Sequence, residues 1–321
     1  MAARTDHRRP ARGALTPATP VNPAAGLLAA LLETGIRPVD PGCIVADGRL
    51  HRFDVEGDKR GSRNGWAVLY ADHGAAGSWK TGATATWTAR RQRHLTRAEQ
   101  DRLHASMRAA KAEAQRQREV EQDEAAQRAA ALWSRAKPAD SAHPYLLRKG
   151  VTPGCARQIG DLLVLPVQDF DGALRSLQFI SANGAKKLLR GGAKRGHFIL
   201  VTGGLPAALL VIGEGFATCA TVARDFPGAA VLAAIDCGNL EAVATGARRR
   251  YPEAHIVIAA DDDRQTTGNP GLTKAREAAR AAGATLIRPA WPPGAPPGLS
   301  DFNDLACWQA AAAVEMEAIH A

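Results

Sequence analysis

Cysteine is scarce in this sequence and poorly placed for metal. The five in 321 residues, Cys43, Cys155, Cys219, Cys237 and Cys307, never stand in C-x-x-C spacing. That excludes a zinc ribbon and offers no disulfide framework. They read as single thiols of a reducing, bacterial cytoplasm. No apolar run approaches the ~20 residues of a membrane span, so no membrane association is expected. No G-x-x-x-x-G-K-[ST] occurs, which leaves the sequence without a P-loop motor. Acid is also short. Against 41 Lys and Arg stand 32 Asp and Glu, giving a net charge of +9 and a pI near 9.7. That balance favours a polyanionic partner, nucleic acid before an anionic membrane surface.

The 45% hydrophobic content suffices for two compact domains and a connector. Residues 1–23 read as a disordered basic tail. Residues 24–94 read as a small β-rich module, with alternating "RLHRFDV" and "GWAVLY" and the glycine-turned "GSWKTG". In it Trp66, among other aromatics, is interleaved with Arg63 and Lys80, a pattern that suits stacked bases and phosphates of a single strand. The same tryptophans equally suit the core of a small sheet. Residues 95–137, without Gly or Pro from about Thr96 to Ala136, predict one charged helix of roughly 60 Å. It is expected to be a spacer between modules or simply a solvated helix. Residues 138–204 predict a small α+β subdomain with a hairpin, "DLLVLPVQDFDGALRSLQFIS", and a basic Gly-rich loop carrying Lys186, Lys187, Lys194 and Arg195.

Residues 205–321 change grammar. "LLVIGEG", "AAVLAAID", "HIVIAADDD" and "TLIRPA" read as strands and alternate with amphipathic helices. The fold class is therefore α/β: a mostly parallel sheet with helices on both faces. In such sheets the chemistry sits at the carboxyl ends of strands. There the sequence places Glu214-Gly215, then Asp261-Asp262-Asp263, then Asp301 and Asp304 in "GLSDFNDLA". Alternation along an extended segment puts Asp261 and Asp263 on one side. With Glu214 and Asp301 they are candidate ligands for Mg²⁺ or Mn²⁺, hard ions that take oxygen donors; zinc is not expected.

The Glu-Gly after the first strand and the Asp-x-Asp after the third resemble the motif of the TOPRIM domain, shared by primases, topoisomerases and some nucleases. "HPYLLRKGV", "GAKKLLRGG" and "HRFDVEGDKRGSRNGWAVLY" resemble segments of the primases of plasmids and phage-like elements, so the likeness covers most of residues 45–305. The resemblance implies a primase that extends short primers on single-stranded DNA from nucleoside triphosphates. It implies catalytic roles for Glu214, Asp261 and Asp263, and places Lys187 where such primases hold nucleotide phosphates. Lys186, Lys194, Arg195, Arg63, Trp66 and Lys80 are the further nucleic-acid or nucleotide contacts. A separate replicative helicase would be the partner. The sequence departs from the family pattern at Thr218 and Asn303, where acids are usual. A metal-dependent nuclease and a catalytically decayed single-strand-binding accessory are the alternatives.

Overall fold

The computed structural model describes residues 22–89 and 97–320; the expected basic tail lies outside them but for Asn22 and Pro23. The chain divides into two compact units, residues 1–105 and 106–321.

In the first unit, helix α1 (Pro23–Glu33) starts at Asn22, whose side chain accepts from Ala24 N at 3.0 Å, with Pro23 at the first helical position. Strands β1 (Leu50–Phe53), β2 (Gly65–Leu69), β3 (His73–Ser78) and β4 (Thr84–Thr88) form an antiparallel meander in that order. Leu27 and Leu31 of α1 pack on Phe53, Ala67, Leu69, Ala76 and Ala85. Those residues alternate along their strands, so one face of the sheet is core and the other is open.

Helix α2 (Arg97–Arg135) leads into the second unit. Its C-terminal half is neither a bare spacer nor fully solvated. Ala125 and Ala129 are completely buried, and Ala129 joins Leu132 and Trp133 against Val164 and Leu177. Small side chains one turn apart let the helix lie close on a sheet, which a charged composition hides. That sheet is antiparallel, in the order β5 (Lys137–Pro138), β6 (Arg157–Ile159), β7 (Leu162–Gln168), β8 (Leu174–Ser181), β9 (Lys186–Leu188). The short helix α3 (Pro144–Lys149) precedes β6. In the expected β7–β8 turn, Asp169 accepts from the N–H groups of Asp171 and Ala173 and from Arg175 Nε.

The second sheet runs β10 (Ile199–Thr202), β12 (Ala230–Ala233), β11 (Leu209–Gly213), β13 (His255–Ala259), β14 (Thr285–Ile287). All pairs are parallel except β10 with β12, so a strand N-terminal to the expected border at residue 205 closes one edge. Helices α5 (Leu240–Arg250) and α6 (Pro270–Ala282) cover one face through Leu240, Val243, Ala247, Leu272, Ala275 and Ala279. On the other face α4 (Phe216–Val222) and the first sheet share a core with Val211, Val231 and Val257. Helix α7 (Phe302–His320) ends the described chain. From β11 the chain crosses first to β12 on one side and later to β13 on the other. The carboxyl ends of β11 and β13 therefore flank the crevice where the order reverses, the place such sheets bind ligands.

Candidate metal and nucleotide site

That crevice is where the acids meet. Glu214 follows β11 directly, and Gly215 caps α4. Burial raises the Glu214 pKa, and the charge of Asp263 raises it further; an N–H from Cys237 and the Lys186 ammonium pull the other way. Asp261, two residues beyond β13, is pushed up to about 8, by burial first and then by the charges of Glu214, Asp301 and Asp263. Its Oδ1 is buried without a hydrogen-bond partner. Charges on these acids thus oppose one another's ionisation.

The three consecutive carboxylates split by side, as strand alternation predicts. Asp263 Oδ2 accepts from Gly271 N at 3.0 Å, in the first turn of α6. Asp262 turns the other way and is 2% exposed. It accepts from Asn269 Nδ2 at 2.7 Å, Trp291 Nε1 at 2.9 Å and Arg288 at 3.3 Å, while its N–H donates to Ser300 O. Burial works against its charge, but these donors more than offset it and its pKa falls. Asp262 is therefore a clamp on the 288–300 segment, which delivers Asp301 to the site. Asp262→Ala is expected to cost on the order of 2–3 kcal/mol by stranding those donors. It should also weaken metal binding at a distance, as urea unfolding and metal titration would record.

Both departures from the family pattern have structural duties. Thr218 Oγ1 donates to Asp301 Oδ2 at 3.0 Å and so orients that carboxylate. Asn303, 1% exposed, donates to Lys149 O and Thr221 Oγ1 and does not face the acids. Asp304 pairs with Lys149 at 3.1 Å.

The cation expected at this site was Lys187; the lysine the structure places beside Gly215 is Lys186. In β9, Lys186 pairs with Ile180, a residue of the core beneath the second sheet, whereas Lys187 pairs with Phe179, which packs towards α2. Paired residues share a face, so the two lysines point to opposite sides. A Cβ on Gly215 would come within 3.2 Å of Lys186 Nζ, and the same ammonium lowers the pKa values of Glu214 and Asp261. Lys194 lies at the rim, paired with Asp236 at 2.7 Å.

Sequence reading missed Gly271. A Cβ there would meet Asp263 Oδ2 at 2.9 Å, Asp261 O at 3.0 Å and Asp261 Cβ at 3.1 Å. Only hydrogen at this position lets both aspartates approach α6. The signal was present as "NPG", an N-cap followed by Pro and Gly at the helix start. Gly271→Ala is expected to cut activity about tenfold to a hundredfold by displacing the acids, with little change in circular dichroism.

Among the described residues no three His, Cys, Asp or Glu side chains close into a ready cage. The donor set nevertheless fits a Mg²⁺-type ion. Such an ion keeps waters and is held through one or two carboxylates plus substrate phosphates. The unpartnered Asp261 Oδ1 beside three other acids is a donor of that kind.

In the first unit, Arg52 rather than Arg63 or Lys80 makes the aromatic contact. Its guanidinium lies 4.8 Å from the ring centre of Trp79, which stands 6.1 Å from Trp66. Arg63 donates to Arg52 O, and Lys80 is bound to Asp58. Trp66 lies across Gly77 on the open sheet face, and Trp79 is 51% exposed.

Residues 209–312 match the Toprim domain family. The chain is 38% identical over 274 residues to a DNA primase TraC of Escherichia coli, covering 79% of this chain and 26% of that protein. To a second DNA primase TraC of Escherichia coli it is 36% identical over 287 residues, covering 84% and 19%. It thus spans about a quarter or less of the curated relatives it matches. Among solved structures, the DnaG primase catalytic domain bound to ssDNA gives a TM-score of 0.39 at 14% identity, over 61% of this chain and 79% of that one. That likeness is too loose to carry residues across.

Proposed function

Residues 209–312 are a Toprim domain, and from that premise we propose that this chain is the catalytic part of a mobile-element DNA primase. It would make short primers on single-stranded DNA by nucleotidyl transfer, in the replication of a plasmid, phage or integrated element. The observation that supports this best is the crevice where Glu214, Asp261, Asp263 and Asp301 face Lys186. Acids and a lysine at one sheet edge suit a triphosphate held with a divalent cation.

Asp261 and Glu214 would hold Mg²⁺ or Mn²⁺, with Asp263 anchored on the α6 amide and Asp301 set by Thr218. When bound, such an ion supplies neutralisation of the triphosphate and activation of the attacking hydroxyl. Lys186 would pair with the triphosphate's non-bridging oxygens. If it does not hold the ion, Glu214, whose pKa burial raises, would instead take the proton of the 3′-hydroxyl. The Arg52–Trp79–Trp66 face of the first unit is the base-stacking platform for template. Work in a bacterial cytoplasm with a separate helicase completes the reading. Among the described residues no helix is long and apolar enough to cross a membrane.

The test is primer synthesis on random single-stranded templates with Mg²⁺ and either ribo- or deoxynucleoside triphosphates. Template-dependent elongation is expected. Cleavage of DNA without nucleotides would replace this reading with a nuclease, and binding without either reaction with an accessory.

A further inference from the structure

A second charged site lies beyond the catalytic rim. A cleft of about 470 Å³ opens between the middle of α2, the 195–197 loop and α5. Gln115, Arg118 and Gln122 line it from α2, Arg195 from the loop, and Thr245 and Arg249 from α5. No carboxylate is among its lining residues. Glu119, on the α2 wall, is already an acceptor for Gln115 Nε2 at 2.8 Å. Arg195 and Arg249 are exposed, and neither guanidinium has a hydrogen-bond or ion-pair partner among the described residues. Their neighbours do: Lys194 is bound to Asp236 and Arg250 to Asp171. Two guanidiniums without an ion-pair partner thus line one cleft whose lining holds no carboxylate.

The loop that presents Arg195 is held from below. Asn239, 1% exposed, accepts from Gly196 N at 2.8 Å and donates to Lys194 O and His197 O at 2.9 Å each. The backbone of residues 194–197 is thus tied inwards, which fixes Arg195 outwards before any ligand arrives. The same short loop reaches the catalytic crevice through Lys194 and Asp236, whose charge Glu214 feels. A second hollow of about 300 Å³ shares Gly196, Ala242 and Arg249 and adds the Arg250–Asp171 ion pair. The two hollows together are longer than one phosphate group needs.

We propose that this cleft binds the phosphodiester backbone of a nucleic-acid strand, with Arg195 and Arg249 as its phosphate contacts and Asn239 as the residue that positions Arg195. The inference rests on the reading that the chain works on nucleic acid. Guanidinium forks match phosphate oxygens in pairs, and Gln122 adds a side-chain amide for the sugar–phosphate chain.

The experiment is fluorescence anisotropy of a labelled 20-mer oligothymidylate on the whole chain, without nucleotides or divalent metal, across a salt series. The charge-reversed R195E/R249E should bind at least tenfold more weakly, and its log–log salt slope should be smaller by about 1.4, two phosphates at ~0.7 each. The control R276E/R280E, exposed on α6 and equal in charge change, should stay within a factor of two of wild type. Equal losses in both variants, or none in R195E/R249E, overturn the cleft while leaving the primase reading intact. A wild type that binds no strand at all sinks the functional reading itself. A labelled nucleoside triphosphate forms the second arm. If R195E/R249E loses only that ligand, the occupant is a free nucleotide and the strand assignment is wrong.

Discussion

Asp261→Asn should abolish primer synthesis and at the same time make the metal-free protein more stable. The two effects share one cause. The Asp261 Oδ1 has no donor, and burial first, then three other carboxylates, raise its pKa to about 8. The amide removes a charge that the folded chain tolerates only with a counter-ion. The gain should be about 1–3 kcal/mol near pH 8 in chelator. The sign follows from linkage. A carboxyl with a higher pKa folded than unfolded leaves the native state holding a proton that the unfolded state has released. Stability contributed by that group therefore falls as pH rises from about 4 to about 8. Thermal melts in chelator should show this decline for wild type and a flatter profile for the variant. Mg²⁺ at pH 8 should raise the wild-type midpoint and leave the variant unmoved. Losing a metal-holding oxygen should cost synthesis at least a hundredfold, since several kcal/mol of transition-state stabilisation disappear. An unstable variant, or one that still responds to Mg²⁺, would show that Asp261 does not belong to the metal site.

Lys186→Ala and Lys187→Ala should behave very differently although the residues are adjacent. Removing the Lys186 ammonium takes away a cation that acts on both Glu214 and Asp261. A fixed charge aimed at a transferring phosphoryl group is worth roughly 10²–10³ in rate. Lys187→Ala should remain within a few-fold of wild type, because that side chain leaves the other face of β9. Steady-state synthesis with both variants decides it. The reverse order of effects would mean that β9 is shifted by one residue, since a single slip exchanges the two faces. Lys186→Ala should also change the pH profile of synthesis, because the acids lose a neighbour that favours their charged forms.

Much of the architecture could be read without coordinates because its signals are local. Strands β11, β12 and β13 announce themselves as short apolar runs, and α5 and α6 by apolar residues at helical spacing. The opposite orientation of Asp262 to its two neighbours follows from the period of an extended chain. The length of α2 was legible from the absence of Gly and Pro, but its seat was not. Ala129 looks like any other alanine until β7 and β8 lie against it.

Sequence alone determined that Glu214 and the Asp261–Asp263 pair sit at the ends of strands, since strand ends are written in residues near one another. Tertiary structure alone decided which lysine joins them. Strand β9 is three residues long and takes its orientation entirely from hydrogen bonding to β8. It likewise decided that Asp262 would be satisfied by Trp291 and Arg288, and that Arg195 and Arg249, 54 residues apart in number, would share a cleft. These are long-range pairings, fixed by how separate surfaces close on one another, and no window of neighbouring residues contains them.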